Sequence, residues 1–192
     1  MLFYTRLEGV MGMNEATDVL DFWFVECEPK HWFQKNKHFD REIERRFSEV
    51  HRRACACELA PWREQPEGRL AEVIVLDQFS RNLYRDRPEA FAQDALALAL
   101  AQEAVAAGAD GALEPTQRAF LYMPYMHSES LVIHAQALEL FDQPGLENNL
   151  KFERRHLEII ERFGRYPHRN AVLGRVSSEE ERAFLRQPGS SF

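Results

Sequence analysis

Cysteine is scarce in this 192-residue chain, with three in all, and Cys55 and Cys57 stand two apart, on different faces of any helix. An odd number of thiols fits free cysteines in a reducing compartment, so a cytoplasmic setting is expected. Long hydrophobic runs are absent as well. Residues 95–101, ALALALA, fall far short of the roughly 18 residues that a membrane span needs. Basic residues are in deficit, 24 Lys and Arg against 31 Asp and Glu for a net charge of −7, which argues against the broad basic face of a nucleic-acid binder. Glycine and proline, nine each, are dispersed and form no linker, so one domain is expected. The opening MLFYTRLEGVMGM carries Arg6 and Glu8 and makes a poor signal peptide. Residues 1–13 are expected to be a flexible extension, with Met11 and Met13 as alternative starts, and residues 14–192 a single all-helical domain. Glycine-rich phosphate loops, G-x-S-x-G, HExxH, CxxC and calcium loops are all missing.

Helical spacing is what the chain does have. Ile43, Phe47, Val50, Ala54 and Cys57 recur at steps of three and four, one apolar stripe on a helix that Asp40 is placed to cap. Pro88 and Pro115 sit where first helical residues belong, Gly108 and Gly164 where helices stop, and Pro124 is expected to bend or interrupt its helix. Ser178 with Glu181 forms a capping box. EVIVLDQF is the one β-looking segment, and its flanks are helical. The pattern predicts seven or eight helices packed as antiparallel pairs. Phe22, Trp23 and Phe24 are read as core in preference to a dimer face. Charge is uneven: residues 151–175 carry seven basic and three acidic side chains, a local +4 that leaves −11 for the rest. Such asymmetry marks either an anion-binding surface or half of an internal salt-bridge network.

Three segments hold the candidate chemistry. In RLAEVIVLDQFSRNLYR, Asp77 and Arg81 lie at the centre of the face formed by Leu70, Val73 and Ile74, with Gln78 at its edge. Val75, Leu76, Phe79 and Leu83 cover the other sides, so a nearly fully buried helix is expected. An Asp–Arg pair four apart in that setting is either a structural lock or the floor of a polar site. In FLYMPYMHSE, His127 and Glu129 are two apart and do not chelate one ion as an i, i+4 pair does. The third, RRHLEIIERFGRYPHRNAVLGR, puts His156 on an apolar face, where a hydrogen-bonded core histidine is expected. It then crowds Arg165, His168, Arg169 and Asn170 around Pro167, as a cationic binding loop or as helix caps. Asp77, His127, Glu129, His156 and His168 are suitable metal-ligand types only if the three segments converge.

LDQFSRNLYR, FLYMPYMHSE and RFGRYPHRNAVLGR, in this order and with VLDFWF upstream, resemble the bacterial family catalogued as domain of unknown function 924, over residues 16–185. The matching positions are Asp77, Gln78, Arg81, Asn82, Tyr84, Arg85, His127, Ser128, Glu129, His156, Phe163, Gly164, Arg165, Pro167, His168, Arg169 and Asn170. The resemblance implies an all-helical fold related to tetratricopeptide-like α-α superhelices, and no reaction. Ser80 stands where the family pattern has Pro, which restores a backbone donor and predicts a straighter helix. The favoured functional expectation is a binding module with an Arg- and His-lined pocket for a small anionic ligand or an acidic peptide end. Arg81, Arg165 and Arg169 are its donors, held by Asp77 and Glu129. The alternatives are an enzyme using His127 or His168 with Asp77 and Glu129, metal-assisted or not, and a structural polar network in an interaction scaffold. No cofactor and no oligomeric state follow from the sequence.

Overall fold

The computed structural model describes residues 14–191, so the expected extension over residues 1–13 lies outside the described residues. Among those described, every regular element is helical. Helix α1 covers residues 14–21 and runs into a wide π turn, Phe22–Glu26. Then come α2 (Pro29–Phe33), α3 (Lys37–Cys55) and α4 (Pro66–Ile74), which passes through a second π turn, Val75–Phe79, into α5 (Ser80–Leu83). Helices α6 (Asp94–Ala106), α7 (Pro115–Met126), α8 (Leu131–Phe141), α9 (Glu147–Phe163) and α10 (Glu179–Leu185) complete the chain. With α4, its π turn and α5 counted as one continuous helix, there are about nine helices among the described residues. That is slightly more than the apolar spacing predicts, because α2 is too short to show a period.

Residues 70–80 are buried without a break, and this segment packs against α3, α6 and α7. A helix with apolar residues on every side, and whose polar groups Glu72 and Asp77 are ion-paired, has its lowest free energy at the centre of the fold, where each large apolar side chain removed from water contributes roughly 1.5–3 kcal/mol. Phe22, Trp23, Phe39, Phe47, Phe79 and Phe120 form an aromatic nucleus at one end of it, which places the Phe22–Trp23 pair in the core. From there α6, α7, α8 and α9 pack each on the next.

The helix-stop glycines fall as expected, Gly108 at φ 71° and Gly164 at φ 67°, the left-handed region that favours glycine. Three local expectations are corrected. Asn36, not Asp40, caps α3, its side chain accepting from the His38 and Phe39 amides. Pro88 opens a short 3-10 turn, Pro88–Phe91, and α6 begins later, at Asp94. Of the bend or interruption expected at Pro124, the interruption does not occur: α7 runs through it to Met126. At Ser80, where a straighter helix is expected, a π turn immediately precedes the residue. The Ser80 hydroxyl donates to the Leu76 carbonyl at 2.6 Å and stands 2.8 Å from His51 Nε2, directly after the π turn. A hydroxyl bonded back to a carbonyl one turn earlier perturbs a helix slightly.

Candidate functional site

The π turn at Val75–Phe79 presents Asp77 toward the end of α7, where His127 follows the last helical residue. Asp77 is 1% exposed, and its Oδ1 lies 2.7 Å from His127 Nδ1 and 3.1 Å from Arg81 Nη1. Gln78 Nε2 donates to Asp77 Oδ2 at 2.6 Å. Arg81 Nη1 also donates to the Asp77 carbonyl at 2.7 Å, and the guanidinium reaches Asp94 at the start of α6, with Nη1 2.9 Å from Oδ1. From the 3-10 turn Pro167–Arg169, Arg169 donates to Asp94 Oδ2 at 3.1 Å and to the His127 carbonyl at 3.0 Å. Its guanidinium is sandwiched between Phe91 and Tyr166, 4.7 and 4.6 Å from the ring centroids. One residue or pair from each candidate segment thus meets here: Asp77 with Arg81, His127, and Arg169.

The other candidates lie in separate clusters. Asn82 donates to Asp40, which Arg85 also grips, tying α5 to α3. Glu129 is held by Arg175 at 2.6 and 2.9 Å and accepts the Tyr166 amide at 2.8 Å. Arg165 lies against α10, bound to Glu181 at 2.7 and 2.9 Å and to the Val176 carbonyl, and is not a donor in the central cluster. Asn170 donates to Ser177. His156 is buried and its Nδ1–H donates to the Phe152 carbonyl at 2.8 Å. His168 faces the Tyr166 ring, with centroids 5.5 Å apart.

Two features of this region have no sequence signal of their own. Asp94 reads as an ordinary first-turn acid, yet it bridges Arg81 and Arg169. His134 and Glu153, both fully buried, meet at 2.6 Å between α8 and α9. His134 Nε2 lies 2.9 Å from the Ser128 carbonyl, which can only accept, so the Nε2 proton is fixed. Burial pushes the Glu153 carboxyl up, and the hydrogen bond with His134 opposes that rise. Only the pairing of two apolar-looking helix faces brings these groups together.

Electrostatics set the protonation of the cluster. Burial opposes the charge on Asp77, but the Arg81 guanidinium and His127 outweigh it and hold the carboxyl well below the usual range. Burial pushes His127 down despite Asp77 beside it, so the imidazole is neutral at pH 7. An ionised carboxylate can only accept, so the His127 proton is on Nδ1 and Nε2 carries a lone pair. That Nε2 has no hydrogen-bond partner among the described residues, and the side chain keeps 17% exposure. Asp77, Asp94, Arg81 and Arg169 sum to zero charge, so this cluster holds no surplus cation. No three His, Cys, Asp or Glu side chains among the described residues are placed to share a metal ion, so the five candidate ligands do not assemble. Two surface grooves, of about 210 and 360 Å³, lie elsewhere, one along α9 and one beside His51 and Tyr84.

An all-helical chain whose central helix carries a buried, charge-balanced Asp–Arg–His cluster is the class that fold and geometry define. Residues 19–189 match the model of a family described as bacterial protein of unknown function, DUF924, and the chain belongs to that family. It is also similar to a solved structure of a protein of unknown function, ATU0120 from Agrobacterium tumefaciens. The two share 39% identity and a TM-score of 0.85 over 89% of this chain and 96% of that one. No curated protein matches the chain. No helix of the described residues is long and apolar enough to cross a membrane.

Proposed function

We propose that the protein binds a small protic molecule at the Asp77–His127 pair, with the neutral imidazole as hydrogen-bond acceptor and, where the ligand is acidic enough, as general base. The supporting observation is the asymmetry of His127: Nδ1 is bound to a sealed carboxylate at 2.7 Å, while Nε2 makes no hydrogen bond among the described residues. A buried partner that fixes the tautomer and orientation of an imidazole, leaving the other nitrogen open, is what base catalysis and directional binding both require. A purely structural network needs no open nitrogen. It also gains little from burying ions, since well-packed apolar residues in their place are often as stable or more so. Arg81 and Arg169 are spent on Asp77 and Asp94, so their part in this reading is to hold the pair and not to grip a ligand's charge. The ligand class is therefore an alcohol, thiol, amine or neutral acid in preference to a phosphate.

Two measurements test this. Long-range nitrogen–proton correlation spectra of the histidine rings should show His127 as the Nδ1–H tautomer at pH 7. Ligand-observed NMR against alcohols, thiols, amines, carboxylic acids and phosphorylated metabolites should then find a protic class whose binding weakens at least about tenfold in His127→Gln, in a variant that stays folded. Binding unchanged in that variant, or silence across the panel for the wild-type protein, would overturn the reading.

A further inference from the structure

The basic bias of residues 151–175 resolves into two unequal parts. Arg162, Arg165, Arg169 and Arg175 each hold a carboxylate. Lys151, Arg154 and Arg155 hold none within ion-pair distance among the described residues. Glu147, one turn before Lys151, is turned back to the Gly145 amide at 3.1 Å. Glu158, one turn after Arg154, is exposed and makes no ion pair.

Lys151 and Arg155 share a stripe with an apolar side chain. Asn148, Lys151, Phe152 and Arg155 recur at i, i+3, i+4 and i+7, one stripe of α9, and line a groove of about 210 Å³. Glu153 on the same helix is turned away into His134 of α8, so the stripe is the outward side of α9. Phe152 is 49% exposed, with the Arg155 guanidinium 5.6 Å from its ring centroid. An exposed Phe on an outward stripe costs solubility that a polar residue would not, and Lys151 and Arg155 on the same stripe lack, among the described residues, the acids that hold their neighbours.

From this we infer that the outer stripe of α9 docks an acidic segment of a partner protein, one that presents an apolar side chain next to carboxylates. The groove lies below the roughly 300–1,000 Å³ typical of small-molecule pockets, and its size suits a single anchoring side chain. Lys151 and Arg155 stand one turn apart on either side of Phe152, where they meet carboxylates flanking that anchor, and Asn148 supplies a neutral donor and acceptor at the end of the stripe. The net charge of −7 on the whole chain opposes adsorption to an extended anionic surface such as a membrane or nucleic acid, whereas a short peptide needs to meet only the basic side chains of this stripe.

The test uses the full chain and an array of short synthetic peptides in which acidic content and the position of one Leu or Phe are varied, beside vesicles containing phosphatidylserine. Saturable binding should require both acids and the apolar residue, and should weaken as salt rises from about 50 to about 300 mM. It should fall at least about tenfold in the double variant Lys151→Gln, Arg155→Gln and in Phe152→Ser, whose helical circular dichroism stays that of the wild type. Because His127 is not part of the stripe, His127→Gln should leave peptide binding unchanged, which separates this inference from the proposal above. Failure of every acidic peptide, peptide binding untouched by the double variant, or binding of the vesicles without binding of peptides would each overturn it.

Discussion

Replacing Asp77 by Asn removes a negative charge on which two groups depend, the Arg81 guanidinium at 3.1 Å and the His127 ring at 2.7 Å. Arg81 would keep Asp94 but lose its second acid, at a position that is itself 1% exposed. Breaking a buried ion pair from one side typically costs about 3–5 kcal/mol, so Asp77→Asn should lower the unfolding free energy by an amount in that range, measured in urea. His127→Gln should cost far less, about 1 kcal/mol, because only the bond to Asp77 is altered. Equal losses in the two variants would show that the cluster's energy does not centre on Asp77. The Asp77–Arg81 contact was legible in the sequence, since a spacing of four in that order brings the side chains together on a helix. Asp94 was not: nothing local distinguishes an acid in a first helical turn from one that bridges two arginines, and only packing makes it do so.

The segment from Pro66 to Leu83 owes its position to backbone details as well as to apolar side chains. Gly68 is one of them. Alanine is favoured over glycine inside a helix by about 1 kcal/mol, yet a Cβ on Gly68 would stand 2.1 Å from the Trp62 carbonyl oxygen. Gly68→Ala should therefore destabilise the protein, by more than about 1 kcal/mol, despite its better propensity. Gly111→Ala, with nothing within 4 Å of the new methyl and no positive φ, should change the melting temperature little and serves as the control. A melting temperature for Gly68→Ala at or above wild type would mean that the Trp62 turn yields easily. The same segment shows what a helical period hides. The wide turn at Val75–Phe79 leaves the apolar run intact, so the sequence reads as one regular helix, whereas the turn reorients Asp77 and the residues after it.

Across the whole molecule, histidines dominate the expected response to acid. Burial holds His51 and His127 below the ordinary value, His156 down to about 3 and His168 down to about 4. In the unfolded chain these rings titrate near about 6.5, so below that pH the unfolded state binds more protons and stability rises with pH. The contribution of each ring is complete above about 6.5 and falls by up to about 1.4 kcal/mol per pH unit as pH drops toward its folded value. The paired carboxylates act later. Asp77 and Glu181, the latter held at about 2 by Arg165, keep their contribution until the pH falls below the usual carboxylate range near about 4. The melting temperature should thus fall clearly between pH 7 and pH 5, before the carboxylates titrate. A flat profile over that interval would mean that the buried rings accept protons in the folded state.

The sequence by itself determined the class of fold, the family and the burial of the central helix, because helical period, capping residues and stop glycines act over a few residues. It also determined that Asp77 and Arg81 would share a face. The tertiary structure alone decided which charges meet. It brought Arg169 and Asp94 to Arg81, sent Arg165 to Glu181 and Glu129 to Arg175, and left Lys151, Arg154 and Arg155 without an acid partner among the described residues. Partner choice among long charged side chains depends on distances of a few ångströms between elements far apart in the chain. Those distances follow from how the helices pack, which no local pattern encodes.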